Sequence, residues 1–219
     1  FTGNPAALTR PLTSQMHEQW APSGERCPSV YGATHPQLIN CFVYGEMNRS
    51  NAEKTIIAVG DSHVEQWMSA LAPVAEERNW QLIRLHRPGC RFTLPGSRTD
   101  LADSVDDRTG CDSFRQAASD YILERKPDVV YTLATLSHKP NEETGEYAPE
   151  SVVPGWEDAI QPFLDEGIYV VGQRDTPRAT RNIAECVDVR GIDDPRCSID
   201  PKQALAETNP LEELDAHPH

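Results

Sequence analysis

Apolar positions along this chain alternate between two periods. Thr55-Ile56-Ile57-Ala58-Val59 is a continuous run that ends at Gly60, the pattern of a strand buried on both faces. Directly after it Trp67, Leu71, Val74 and Ala75 recur at helical spacing, and Glu76-Glu77-Arg78-Asn79 closes the segment. Trp80 to Leu85 reads as a second strand, and Cys90 to Thr109 as a polar, Asp-rich loop. Phe114, Ala117, Ala118, Tyr121 and Ile122 mark a second amphipathic helix, stopped by Pro127. Asp128 to Leu133 predicts a third strand, Trp156 to Asp165 a helix, and Ile168 to Val171 a fourth strand stopping at Gly172. A last helix is expected from Pro201 towards Leu214. Residues Phe1 to Asn51, rich in Pro, Thr, Ser and Asn, show no sustained period. They read as a linker over residues 1–26 followed by an irregular entry segment tied by disulfides.

Strands alternating with helices imply an α/β fold with a mostly parallel sheet covered on both faces. Ligands of such sheets sit beyond the carboxyl ends of the strands. That places interest on Gly60–His63, Arg87–Cys90, Ala134–His138 and Gln173–Arg178.

At 219 residues, 38% hydrophobic and 25% charged, the chain can bury one proper core. Its formal net charge of −14 repels phosphate backbones and anionic lipid, so no nucleic-acid partner is expected. No segment approaches the ~20 apolar residues of a membrane span. The start at Phe1, without Met or signal peptide, reads as a piece of a longer protein.

Six cysteines carry the next constraint: Cys27, Cys41, Cys90, Cys111, Cys186 and Cys197. None forms a Cys-x-x-Cys pair or has His at zinc spacing, so no metal and no cofactor is expected. Their distribution favours sequential pairing, Cys27–Cys41, Cys90–Cys111 and Cys186–Cys197, and hence a location outside the cytoplasm. Six free thiols in a cytosolic enzyme are the alternative.

Gly60-Asp61-Ser62-His63 lies where the first strand turns into the first helix. A serine there is lifted out of the sheet, and backbone N–H groups at the helix start can hold an oxyanion. The same position equally suits a Ser N-cap without catalytic part.

This block, following a buried strand in a chain with paired cysteines, resembles the SGNH (GDSL-type) hydrolase superfamily. More narrowly, the chain is similar to the extracytoplasmic SGNH domain of bacterial acyltransferase-3 membrane O-acyltransferases. Cys41-Phe42-Val43-Tyr44-Gly45-Glu46, Asp61-Ser62-His63-Val64-Glu65-Gln66-Trp67, Pro88-Gly89-Cys90, Lys126-Pro127-Asp128-Val129-Val130 and Arg174-Asp175-Thr176-Pro177-Arg178 carry the likeness, which spans about residues 27 to 214. It implies a three-layer α/β/α, flavodoxin-like domain over residues 27–219. It also implies acyl transfer or ester hydrolysis through an acyl-serine. Ser62 would be nucleophile and oxyanion donor, Asp61 and His63 supporting residues of its block, and Gly89 a second oxyanion donor. The acyl donor would come from a membrane acyltransferase domain, and the acceptor would be a cell-envelope glycan or glycolipid.

Two departures from the pattern stand out. Thr135-Leu136-Ser137-His138 replaces the superfamily's Gly-x-Asn block, and no Asp-x-x-His follows the fourth strand. Asp215-Ala216-His217 and His219 have the wrong spacing and read as surface sequence, so the final strand and catalytic pair are expected beyond this chain. Within it, Ser137 and His138 at the end of the third strand are the remaining site candidates, with Arg174 and Arg178 as contacts for an anionic donor or glycan. His17, His35 and His86 have no convergent partner in the sequence and read as structural or solvent-facing. Asp100, Asp103, Asp106 and Asp107 lack the glycine and terminal Glu of an EF-hand and read as a solvated acidic loop. Two alternatives to transfer stand beside it: a non-catalytic module that binds or positions a glycan, and a secreted SGNH esterase.

Overall fold

A computed structural model describes residues 24–27, 35–38, 40–97, 105–138, 140, 141, 143–179 and 181–214. His17, Trp20, Asp100, Asp103, Asp215, His217 and His219 lie outside the described residues, as does most of the expected 1–26 linker. The chain divides into two compact units, one formed by 21–134 with 152–174, the other mainly by 135–151 with 175–216.

The first unit is a six-stranded sheet with flanking helices. In chain order the elements up to its last strand are β1 (Glu25–Arg26), β2 (Cys41–Gly45), β3 (Thr55–Gly60), helices α1 (Ser62–Gln66) and α2 (Met68–Glu77), β4 (Gln81–His86), α3 (Val105–Arg125), β5 (Val129–Leu133), β6 (Thr135–Leu136), β7 (Ser151–Val152), α4 (Trp156–Asp165) and β8 (Tyr169–Gln173), of which β6 and β7 lie outside the six-stranded sheet. The strand order is β1-β2-β4-β3-β5-β8, and β4, β3, β5 and β8 run parallel. β3 therefore sits between two parallel neighbours, which is why its sequence is a continuous apolar run rather than an alternation. One face packs Ala58, Leu82, Tyr131 and Leu133 with Val64, Met68, Ala72 and Ala75 of the first two helices. The alternate positions Ile57, Val59, Ile83, Leu85 and Val130 point to the other face and are also buried.

Four expectations for this unit need correction. Cys41–Gly45 is a strand, not irregular sequence: it pairs antiparallel with β4, from Cys41 against Leu85 to Gly45 against Gln81. The Asp-rich stretch is not a loop throughout, because α3 already begins at Val105 and Cys90–Thr93 are buried. The fourth strand runs through Gly172, where a Cβ would meet Ala134 and the Trp156 ring at 2.9 Å, and ends at Gln173. The first helix is broken at Trp67 into α1 and α2.

The second unit holds β6 (Thr135–Leu136), helix α5 (Ile183–Arg190) and a short helix α6 (Pro201–Ala204), followed by a 3-10 turn at Pro210–Glu213 instead of a long last helix. α5 has no buried residue. Its support is local: Asn182 caps it by accepting from the Glu185 N–H, and Cys186 is bonded to Cys197.

The cysteines pair as Cys27–Cys41, Cys90–Cys111 and Cys186–Cys197, with Cα separations of 5.2–5.3 Å, and none is free. No described helix is long and apolar enough to cross a membrane.

Candidate active site

The turn after β3 is shaped by three consecutive residues with distinct jobs. Gly60 has φ +153°, and a Cβ there would lie 2.6 Å from Val64 Cγ2, so the approach of helix α1 to the strand end requires glycine. Asp61 is the N-cap: buried, it accepts the His63 N–H on Oδ1 at 2.9 Å, while its carbonyl accepts from Val64 and Glu65. Ser62 is therefore the first residue inside the helix rather than its cap. It is exposed, and neither its hydroxyl nor its N–H bonds to another described residue. The capping alternative raised by the sequence is thus taken by Asp61, and the serine is left facing outward.

Gly89 is brought to the same strand end. Arg87-Pro88-Gly89-Cys90 forms a type II turn, with proline second, glycine third at φ +71°, and the Cys90 N–H donating to the Arg87 carbonyl at 3.1 Å. The Arg87 N–H donates to the Gly60 carbonyl at 3.1 Å, so this turn is anchored two residues before Ser62. Space beside Gly89 is open, with no atom within 4 Å of where a Cβ would be.

Helix α1 and strand β4 bring together a set of charges that sequence reasoning missed. Glu65, on α1, bonds Arg84 Nη1 at 2.7 Å and lies 3.3 Å from His86 Nε2, both on β4. Arg84 stacks on the Phe42 ring at 4.5 Å. His86 is in register with Gly60, and it therefore has a convergent partner that no sequence spacing announced. Burial lowers the His86 pKa below the usual imidazole value, with Arg84 adding to the shift and Glu65 and Asp61 opposing it. Asp61 Oδ2 lies 3.7 Å from Nε of Arg91, whose side chain is fully buried.

The other candidates belong to the second unit, except Arg174, which is half-buried at the end of β8. Ser137 is buried, and its hydroxyl donates to the Thr176 carbonyl at 2.6 Å and contacts Asp175 Oδ2 at 3.0 Å. The Ser137 N–H donates to the same carboxylate oxygen at 3.0 Å. Around this pair, Thr135 donates to Glu150 at 2.8 Å and accepts from the Asp175 N–H at 2.8 Å, so Thr135, Ser137, Glu150 and Asp175 form a buried polar lattice. His138 is half-buried, and the Arg178 carbonyl accepts from the Tyr147 hydroxyl. Among the described residues no group of His, Cys, Asp or Glu is placed to hold a metal ion.

Neither curated proteins nor solved structures give a match to this chain. A family model described as "SGNH domain (fused to AT3 domains)" matches residues 26–218. With a mostly parallel sheet, three bridges and the Gly-Asp-Ser-His turn at the end of its central strand, the chain belongs to the SGNH domain family of acyltransferase-3 proteins, a hydrolase and acyltransferase type of module.

Proposed function

We propose that this domain is an extracytoplasmic O-acyltransferase module in which Ser62 carries the acyl group. The observation that bears most weight is the division of labour in the turn: Asp61 caps the helix, so the exposed Ser62 hydroxyl and its own N–H remain available. In the reaction the Ser62 oxygen attacks the carbonyl of a short acyl group, such as acetyl, supplied by a membrane acyltransferase domain. The hydroxyl proton goes to a general base, the donor's leaving group departs, and an ester to Ser62 forms. A hydroxyl of a cell-envelope glycan or glycolipid then attacks that ester, and the serine regains its proton. The N–H groups of Ser62 and Gly89, anchored to the same strand end, are the donors proposed for the tetrahedral oxyanion; one such donor is often worth ~3–4 kcal/mol. Three disulfides fit an oxidising compartment, and a family fused to acyltransferase-3 domains fits delivery of the acyl group in cis.

One observation favours a second reading. It is a module that keeps this fold and holds a glycan without chemistry, with the half-buried Arg174 at the end of β8 as a contact for an anionic glycan. Intact-mass analysis after a serine-directed fluorophosphonate separates the two. The transferase reading expects one adduct on the full-length protein, lost in Ser62→Ala. If the folded protein takes no adduct, the activated serine is refuted and the binding-module reading replaces it.

A further inference from the structure

Arg91 has no part in the reaction above, yet the supports of the serine turn converge on it. Its side chain is 0% exposed and faces an Asp61 side chain that is 2% exposed, Nε to Oδ2 at 3.7 Å. A guanidinium buried this deeply is costly unless a carboxylate balances it, so each member of the pair constrains the other. Asp61 is also the residue whose other oxygen holds the His63 N–H.

Arg91 is itself fixed from three directions. Cys90, just before it, is bonded to Cys111 on α3. Arg115, one turn further along α3, donates from Nε to the Arg91 carbonyl at 2.9 Å. Phe92, just after it, stacks on Phe163 of α4 with ring centroids 5.8 Å apart. Constraint therefore passes from α3 through Arg91 to the Asp61 carboxylate, and from there to the first turn of α1, where Ser62 sits.

We infer that Arg91 is a positioning residue for Ser62, acting through its buried ion pair with Asp61 to fix the first turn of α1. Its catalytic consequence rests on the reading of Ser62 given above; the fixing of the turn does not. A residue that merely stabilised the fold would affect the turn no more than any other core position. The discriminating experiment compares full-length wild type with Arg91→Met, Arg91→Lys, Asp61→Asn and a core control, Ile122→Ala, chosen because Ile122 is fully buried on α3.

Two quantities are read: amide exchange of the peptide carrying His63, and the rate at which a fluorophosphonate labels Ser62. Arg91→Met is expected to speed His63 exchange and slow labelling, each by at least about tenfold. Arg91→Lys restores part of both, and Ile122→Ala changes neither beyond its effect on global unfolding. Adding Asp61→Asn to Arg91→Met brings little further loss, because both act through one pair. Unchanged exchange in Arg91→Met, or an equal change in Ile122→Ala, overturns the inference. If wild type takes no label, the Ser62 reading falls while exchange still decides whether Arg91 holds the turn. Should Arg91→Met fail to fold, Arg91→Lys decides: intermediate exchange supports the inference and wild-type exchange refutes it.

Discussion

Replacing Cys90 and Cys111 together by alanine tests how the serine turn is held to the rest of the unit. The bridge spans 21 residues of sequence. Chain entropy for a loop of that size gives about 3 kcal/mol of stabilisation. Both cysteines are buried, 2% and 3% exposed, so alanine leaves apolar surroundings with a small volume deficit rather than an unpaired polar group. For a protein of this size, 3 kcal/mol corresponds to a fall in Tm of roughly 6–12 °C. Cys186–Cys197, with a separation of 11, is worth nearly as much by loop entropy alone. It staples a helix without buried residues, however, so its loss is expected to be confined to α5. Thermal unfolding of the two double variants, followed by circular dichroism, should show the larger drop for Cys90/Cys111→Ala. Fluorophosphonate labelling of Ser62 should slow only in that variant, since Cys90 lies between Gly89 and Arg91. A drop below about 2 °C, or equal loss of labelling on removing Cys186–Cys197, would refute the assignment of structural support to this bridge.

Other outcomes follow from the same geometry. Ser62→Ala should shift stability by no more than about 0.5 kcal/mol, as expected of an exposed side chain outside the hydrogen-bond network, while abolishing labelling; urea unfolding checks the first part. Gly60→Ala should cost at least about 2 kcal/mol, because strain at positive φ adds to the collision with Val64. Gly89→Ala should cost only about 1 kcal/mol in the same assay, since its turn has positive φ but open space. His86 has a folded pKa below its ordinary 6.5, so the unfolded chain binds the proton more readily. Stability should accordingly fall as pH drops below about 6.5 and level off below the folded pKa. Denaturant midpoints measured from pH 7.5 downward should flatten in His86→Gln; an unchanged slope would refute the assignment.

What the sequence made legible depended on how each element earns its stability. β3 and β5 are buried between parallel neighbours and are written as apolar runs, so their limits were readable almost to the residue. β2 is as short as β5, but it pairs antiparallel with β4 and sits in a Pro- and Asn-rich stretch, with Phe42 half-buried between buried Cys41 and Val43, so its few apolar residues did not stand out from the irregular sequence around them. The first turns of α3, Val105 to Gly110, carry charge and a glycine, and the apolar face begins only at Cys111. Nothing there distinguished helix from loop. α5 buries no residue, so no hydrophobic period existed to be read; a cap and a disulfide hold it. Within the candidate site, Gly60 to His63 was visible because strand, turn and helix are consecutive. Glu65 with His86, and Asp61 with Arg91, are pairs between separate elements, and Arg91 in a polar stretch looks like any surface arginine until the fold buries it.

The order of the bridges bears on how such a protein is made. Each cysteine is bonded to the next one along the chain, over separations of 14, 21 and 11 residues, and no bridge encloses another. Within this domain, a polypeptide entering an oxidising space from its N-terminal end exposes Cys27 and Cys41 before the other four, and the nearest thiol of the domain is in each case the native one. Oxidation in order of arrival then yields the correct set, so this bridge order by itself calls for no reshuffling. Nested bridges would require an early cysteine to wait, unpaired, for a partner still to arrive.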